Sequence, residues 1–413
     1  MALHPDLVPR GRRRARALVA CALVLAAAIA GTSCSSDSSD ASGKDGSTST
    51  TAAHAEAKAE PMVFGGQGNN LDAYAVTPSK DGTFAMQRVY ETKDTDKVNG
   101  HDINAQICFL PPGKDGERRF VAGEDTNQDD PGGSAGWGIF RLEGDKLGSL
   151  KPTQLSKLVP TYQPANDNPE NYGCGVLADG RVLTTDVGNQ ASGTGDGQLI
   201  VWFPPLTGGK DPNFPAISYC KLDVGLPTGQ SMLVRDDVIY VAAARGAVYR
   251  YTGPFPTSAD AAGGCGKKDA TGAPLADKVE KETFIKAGPH GLATPAGLAP
   301  APDDGFYVSS VFSGVINEYD SKGAFRRTIL APPTGESLGA KPFSTGTPLG
   351  IGVGPDGTLY YADIGVVVAP DSVGPGDHTG SLRRIRFVDG KPQPPETMAT
   401  HLDYPDGIGV WTP

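Results

Sequence analysis

Helical periodicity is scarce in this chain of 413 residues, where 55 Gly and 35 Pro break up the apolar pattern almost throughout. No GxxxxGK[ST] segment is present to cradle the phosphates of a nucleotide. None of the six cysteines forms a CxxC pair, so nothing points to a structural thiolate-zinc site. Positive charge is also in deficit. There are 37 Lys and Arg against 47 Asp and Glu, a formal net charge of −10. Phosphate backbones are recognised by clustered cations, so nucleic acid is not an expected partner. The apolar run ALVACALVLAAAIAG (17–31) is too short to span a bilayer comfortably.

What the N-terminus does contain is an address. Five arginines lie within residues 10–16, then comes the apolar run, then TSCSS. A basic start, a short apolar centre and small residues at the end make an export signal. The segment resembles that of a bacterial lipoprotein. Cys34, after Gly31, Thr32 and Ser33, stands where the lipid-bearing cysteine would be, with simple secretion as the alternative. Loss of residues 1–33 would remove five arginines and Asp6, a net +4, and take the formal charge from −10 to −14. Residues 34–60 are mostly Ser, Thr, Asp, Ala, Lys and Glu, without Phe, Tyr or Trp. Such a segment cannot bury enough apolar surface to offset its ordering entropy and reads as a tether with a reach of roughly 30 Å. Contact with a membrane is therefore expected only through a lipid anchor.

With Cys21 removed and Cys34 lipidated, Cys108, Cys174, Cys220 and Cys265 remain, an even number suited to two disulfides outside the cell. Three connectivities are open, and the sequential one, 108–174 with 220–265, is the expected pairing.

Residues 61–413 repeat one phrase: a small or polar approach, a short apolar strand, a tight turn, and a second strand. It reads NYGCGVLADGRVLTTD (171–186), TGQSMLVRDDVIYVAAA (228–244), PAGLAPAPDDGFYVSS (295–310) and PLGIGVGPDGTLYYAD (348–363), with a looser copy at NAQICFLPPGKDGERRFVAGED (104–125). Asp-Gly and Asp-Asp turns are strong hairpin signals. Repetition at this period predicts an all-β, six-bladed β-propeller. The sixth phrase, YPDGIGVW (404–411), begins and is not continued. An open ring leaves unpaired edges, so this strand is expected to be the innermost of a blade whose outer strands come from 61–99. That stretch offers LDAYAVT and TFAMQRVY but no clear first strand. The long loops 124–136, 186–197 and 363–380 fall on one face, which is the expected functional face of a monomer.

The phrases at 348–363 and 404–411 resemble inner hairpins of the senescence marker protein/gluconolactonase family and of NHL-repeat propellers. The resemblance covers roughly 290–413 well and 170–250 weakly. It implies a divalent cation, usually calcium, at the head of the channel, held by acidic and amide side chains from the inner-strand starts. Asp406 matches the Asp of the family's PDG. The equivalent positions elsewhere are Tyr172, Gln230, Ala296, Leu349 and Ala105, and Ala and Leu cannot coordinate calcium.

Other candidates come from the residues themselves. Asp125, Asn127 and Asp129 offer alternate oxygens that could converge on calcium, although Asp130 and Gly136 rule out an EF-hand. His101 beside Asp102 could serve as a general base near a metal-bound water. His290 and His401 also precede inner strands and raise the alternative of a three-histidine zinc site. Tyr172, Gln230, Arg245 and Asp363 are candidates for contact with a small-molecule substrate, Arg245 for an anionic one. Asp186 and Asn189 resemble the structural Asp and Asn of an NHL turn. Two functions follow: a metal-dependent hydrolase of a lactone or ester, or a non-enzymatic propeller that binds a glycan, peptide or protein at the cell surface.

Overall fold

The structure, a computed structural model, describes residues 60–91, 101–103, 105–113, 116–126, 135–158, 171–186, 197–206, 217–370 and 372–412, without the side chains of 101, 102, 124–126, 135 and 157. Cys34, Asn127, Asp129 and Asn189 lie outside these residues.

Six antiparallel blades form a β-propeller, and the described residues contain no helix beyond the short 3-10 turn Pro289–Gly291. Blade 1 runs through Arg118–Thr126, Ala135–Glu143 and Lys151–Leu158, with an inner strand in two pieces, His101–Asp102 and Cys108–Phe109. Blades 2 to 5 start on Asn171–Val176, Gly229–Arg235, Pro295–Ala301 and Pro348–Val353. Each of these is followed by three antiparallel partners. The turns behave as their residues require. Asp236 and Asp237 have φ of 49° and 55°, and Asp303 and Asp304 have 54° and 56°. Two successive positive φ values make the turn that matches strand twist, and Asp tolerates that region better than most residues.

Blade 6 closes the ring as expected. Ile408–Trp411 is its inner strand and pairs antiparallel with Met62–Gln67, placing Met62 opposite Trp411 and Gly65 opposite Ile408. Asn70–Ala75 and Met86–Glu91 complete the blade. The strand Met62–Gln67 is the one the sequence did not reveal. Its MVFGGQ carries two glycines, which are depleted in strands. Gly66 is required: a Cβ there would sit 2.1 Å from the carbonyl oxygen of Ile103.

The core is six apolar layers, one between each pair of neighbouring blades. Alternation along strands serves both neighbours. Tyr361 and Leu359 pack toward blade 4, while Tyr360 and Ala362 pack toward blade 6. The disulfides follow the sequential pairing. Cys108–Cys174 joins the inner strands of blades 1 and 2, and Cys220–Cys265 ties the outer strand Tyr219–Leu226 of blade 2 to the excursion that follows the third strand of blade 3. Beside the second bridge, Lys221 is buried and its Nζ lies 2.6 Å from Asp269 Oδ2.

Candidate functional site at the channel axis

Each inner strand enters the ring with a three-residue start, and in blades 2 to 6 its second residue reaches the axis. Tyr172, Gln230, Ala296, Leu349 and Asp406 line one narrow cavity there, together with Gln106, Ser231, Gly350 and Gly407. The equivalence of these starts, inferred from sequence register, therefore corresponds to a shared place in space. Ala105 is buried beside them, and Gln106 occupies the cavity wall in blade 1.

The third residue explains how the blades meet. It is glycine in blades 2, 4, 5 and 6. A Cβ at Gly173, Gly297, Gly350 and Gly407 would lie 2.2, 2.4, 2.4 and 1.4 Å from the carbonyl oxygens of Gln230, Leu349, Asp406 and Ala105. Each carbonyl belongs to the second residue of the next blade. Small donors complete the seam: Thr185 Oγ1 donates to Gln230 O at 2.7 Å, Ser309 Oγ to Leu349 O at 2.7 Å, and the Gly350 N–H to Asp406 O at 2.9 Å.

Asp406 is 2% exposed, and its Oδ1 accepts the Ala105 N–H at 3.1 Å. Ala105 has φ of 101°, a conformation that costs a non-glycine residue of order 1–3 kcal/mol and persists only where its surroundings hold it. Gln106 departs from the glycine pattern. Its N–H donates to Tyr172 O at 2.8 Å, and its side chain crosses to blades 2 and 3. There Nε2 donates to Met232 O at 3.0 Å, and Oε1 accepts from the Met232 N–H at 3.0 Å, Ser231 Oγ at 3.1 Å and the Cys174 N–H at 3.4 Å. The Gln106 amide thus pairs with Met232 as a neighbouring strand would. On the long-loop side, Val311, Ile364 and Val366 pack on Tyr172, Ala296 and Leu349, with Phe312, Leu338 and Val373 against them.

The described donors do not fit calcium, which takes six to eight oxygens. Of the six second positions only Asp406 carries a carboxylate, and one of its oxygens is committed to Ala105. Ala105, Ala296 and Leu349 offer hydrocarbon.

None of the remaining candidates with a described side chain lines this cavity. Asp363 is 1% exposed and bound within blade 5. Its Oδ1 accepts the N–H groups of Thr347 (2.7 Å) and Gly365 (3.0 Å), and its Oδ2 accepts Ser381 Oγ (2.8 Å) and faces Arg383 at 3.1 Å. It ties the loop 363–380 to its blade. Asp186 is buried at the matching end of the blade 2 second strand. Arg245 is exposed at the turn after Ala243, with its Nε donating to Thr228 Oγ1 at 2.6 Å. His101 and Asp102 do not precede the inner strand of blade 1 but form its first piece, opposite Thr126 and Asp125. His290 stacks on Phe325, with ring centroids 3.6 Å apart, and His401 is exposed on the outer strand of blade 5. Neither histidine lines the axis cavity. A different trio, Asp377, His378 and Asp403, brings its ligand atoms within 4.8 Å of one another at the rim, largely in solvent.

No family model and no curated protein matches the sequence. Solved structures do resemble the fold. Virginiamycin B lyase from Staphylococcus aureus is similar at 13% identity over 82% of this chain and 81% of that one, with a TM-score of 0.38. A luciferin-regenerating enzyme is similar at 13% identity over 80% and 96%, with a TM-score of 0.44. A chain of a nidogen/laminin complex is similar at 12% identity over 85% and 98%, with a TM-score of 0.46. At such identities the likeness concerns the fold alone, and the assignment of six blades rests on the chain's own strand pairing.

Proposed function

We propose that this chain is a non-enzymatic binding propeller that presents its long-loop face to a partner at the cell surface. The observation that carries this reading is the make-up of the axis. One carboxylate, the Gln230 amide and a tyrosine stand there with an alanine and a leucine. The Gln106 side chain crosses below, and an apolar cluster packs above. Metal-assisted hydrolysis needs a cation that polarises a carbonyl and activates water, and the described residues of the axis cavity supply too few ligands for one. The rim, by contrast, carries the hairpin of Val366–Val368 and Val373–Pro375 and the acidic pair Asp377 and Asp403. A rigid ring under such loops suits recognition.

Export by residues 1–33 and lipidation of Cys34 belong to the same proposal. Two disulfides are compatible with it, as is the lack, among the described residues, of a helix long and apolar enough to cross a membrane. The hydrolase reading keeps one observation in its favour, since Asp406, Tyr172 and Gln230 share the axis cavity.

An activity screen separates the two readings. The purified chain, offered lactones and aryl esters with and without calcium, is expected to give no turnover above buffer. Saturable turnover that requires calcium and is lost in Asp406→Ala would overturn the binding reading.

A further inference from the structure

We infer that Asp406 and Gln106 tie the blades across the axis by hydrogen bonds, at the place where the family resemblance would put a cation. The inference does not depend on what the long-loop face binds. A cation at a channel head joins several blades because each donates a ligand. Here the same joining is done by the protein's own groups. Asp406 of blade 6 holds the Ala105 N–H of blade 1, and Gly407 leaves the space that the Ala105 carbonyl fills. Gln106, the next residue, carries the connection on. Its backbone N–H bonds to Tyr172 O of blade 2, and its side-chain amide to the Cys174 N–H of blade 2 and to Ser231 and Met232 of blade 3. Four of the six blades are thereby linked in one chain of bonds: 6, 1, 2 and 3.

The sequence pattern supports the assignment independently of the distances. The third residue of the inner-strand start is glycine at 173, 297, 350 and 407, and departs from glycine only at Gln106 and Ser231. Those two side chains bond to each other, with Ser231 Oγ donating to Gln106 Oε1 at 3.1 Å. A position that elsewhere demands the smallest residue admits side chains only where they meet. Asp406 is then a latch for a left-handed alanine, and Gln106 is a positioning residue that holds the inner strand of blade 3.

The test is thermal unfolding of the full chain in calcium and in chelator, for the wild type and for Asp406→Asn, Asp406→Ala and Gln106→Ala, together with amide hydrogen exchange. The wild-type midpoint is expected to be the same in both media. Asp406→Ala should lower the ratio of folded to unfolded chain about ten- to a hundredfold, as for a buried donor left without its acceptor. Asp406→Asn keeps an acceptor oxygen and should lose less. Gln106→Ala should remove exchange protection at the Met232 and Cys174 amides while Val241, in the same blade 3, keeps its own. A wild type stabilised by calcium, with the effect lost equally in both Asp406 variants, would overturn the inference in favour of a metal ligand. So would unchanged protection at Met232 in Gln106→Ala. If no variant folds, a wild-type midpoint that is the same in calcium and in chelator still supports the inference, because a metal ligand at Asp406 would make the two differ.

Discussion

Removal of the closing strand gives the sharpest test of the ring. Ile408 and Trp411 are 2% and 4% exposed. Trp411 packs in the layer between blades 6 and 1, with Arg118 over its ring at 5.3 Å, and Ile408 packs in the layer between blades 5 and 6. Truncation of a buried Trp costs about 3–5 kcal/mol and of a buried Ile about 2–5 kcal/mol. Together these approach the whole stability of an ordinary domain, about 5–15 kcal/mol. Deletion of 404–413 would further strip Met62–Gln67 of a partner and expose its edge to other chains. The deleted chain is therefore expected to unfold or aggregate. The graded version is Trp411→Ala, followed by urea unfolding. Its midpoint should fall by the equivalent of about 4 kcal/mol with the slope unchanged. Met86→Ala is the control, because Met86 lies on the outer edge of the same blade and is 50% exposed; it should move stability by less than about 0.5 kcal/mol. A monomeric, cooperative 404–413 deletion would refute the closure argument. So would a Trp411→Ala midpoint no lower than that of Met86→Ala.

Two further perturbations follow from the packing. Burial opposes ionisation of Asp269, but the Lys221 ammonium and the donors of Thr271 and Ala273 outweigh it and hold the carboxyl at about 2. The folded value lies below the unfolded value of about 3.9, so the contribution, about 2 kcal/mol, is complete above about pH 5 and fades as pH falls toward 2. Asp269→Asn leaves Lys221 buried without its counter-charge and should cost about 3–5 kcal/mol at pH 7. Denaturant midpoints measured from pH 7 to pH 2 should fall less steeply for the variant than for the wild type, and parallel curves would contradict the pairing. Gly407→Ala should destabilise by more than about 3 kcal/mol, because its Cβ would meet the Ala105 carbonyl at 1.4 Å; a near-neutral effect by urea titration would show that the seam can open there.

The blades were legible because hairpin turns and strand alternation are local. The turns Asp236–Asp237 and Asp303–Asp304 announce themselves in two letters, and register alone aligned Tyr172, Gln230, Ala296 and Leu349 with Asp406, whose place at the channel head the family resemblance implied. What escaped was set by contacts between blades. Met62–Gln67 hides its strand behind two glycines, of which Gly66 lets Ile103 approach. The phrase at 104–125 resembles a continuous first strand, but its inner strand breaks between Asp102 and Cys108 so that Ala105 and Gln106 can reach Asp406 and Tyr172. Asp363 faces a long loop in sequence and is a tie inside its blade in space. The signal for Gln106 was nonetheless present. Four phrases have glycine in the third position and two do not, and the comparison of second positions alone passed over that contrast.

The braces are unevenly distributed, and the unevenness bears on function. The Cys108–Cys174 bridge, the Cys220–Cys265 bridge and the Gln106 amide all act on blades 1 to 3. Blades 4 and 5 meet their successors through a glycine at the axis and carry no disulfide. The long loops 124–136 and 186–197 belong to blades 1 and 2, within the cross-linked sector, whereas 363–380 belongs to blade 5, where Asp363 rather than a disulfide ties it. A loop recognises a partner with little entropic cost only if its anchors stay fixed. An open catalytic channel gains nothing from a side chain laid across it, whereas a rigid platform for binding loops gains directly. The placement of Gln106 is thus consistent with the proposed recognition at the rim, and the activity screen decides between that proposal and chemistry at the axis.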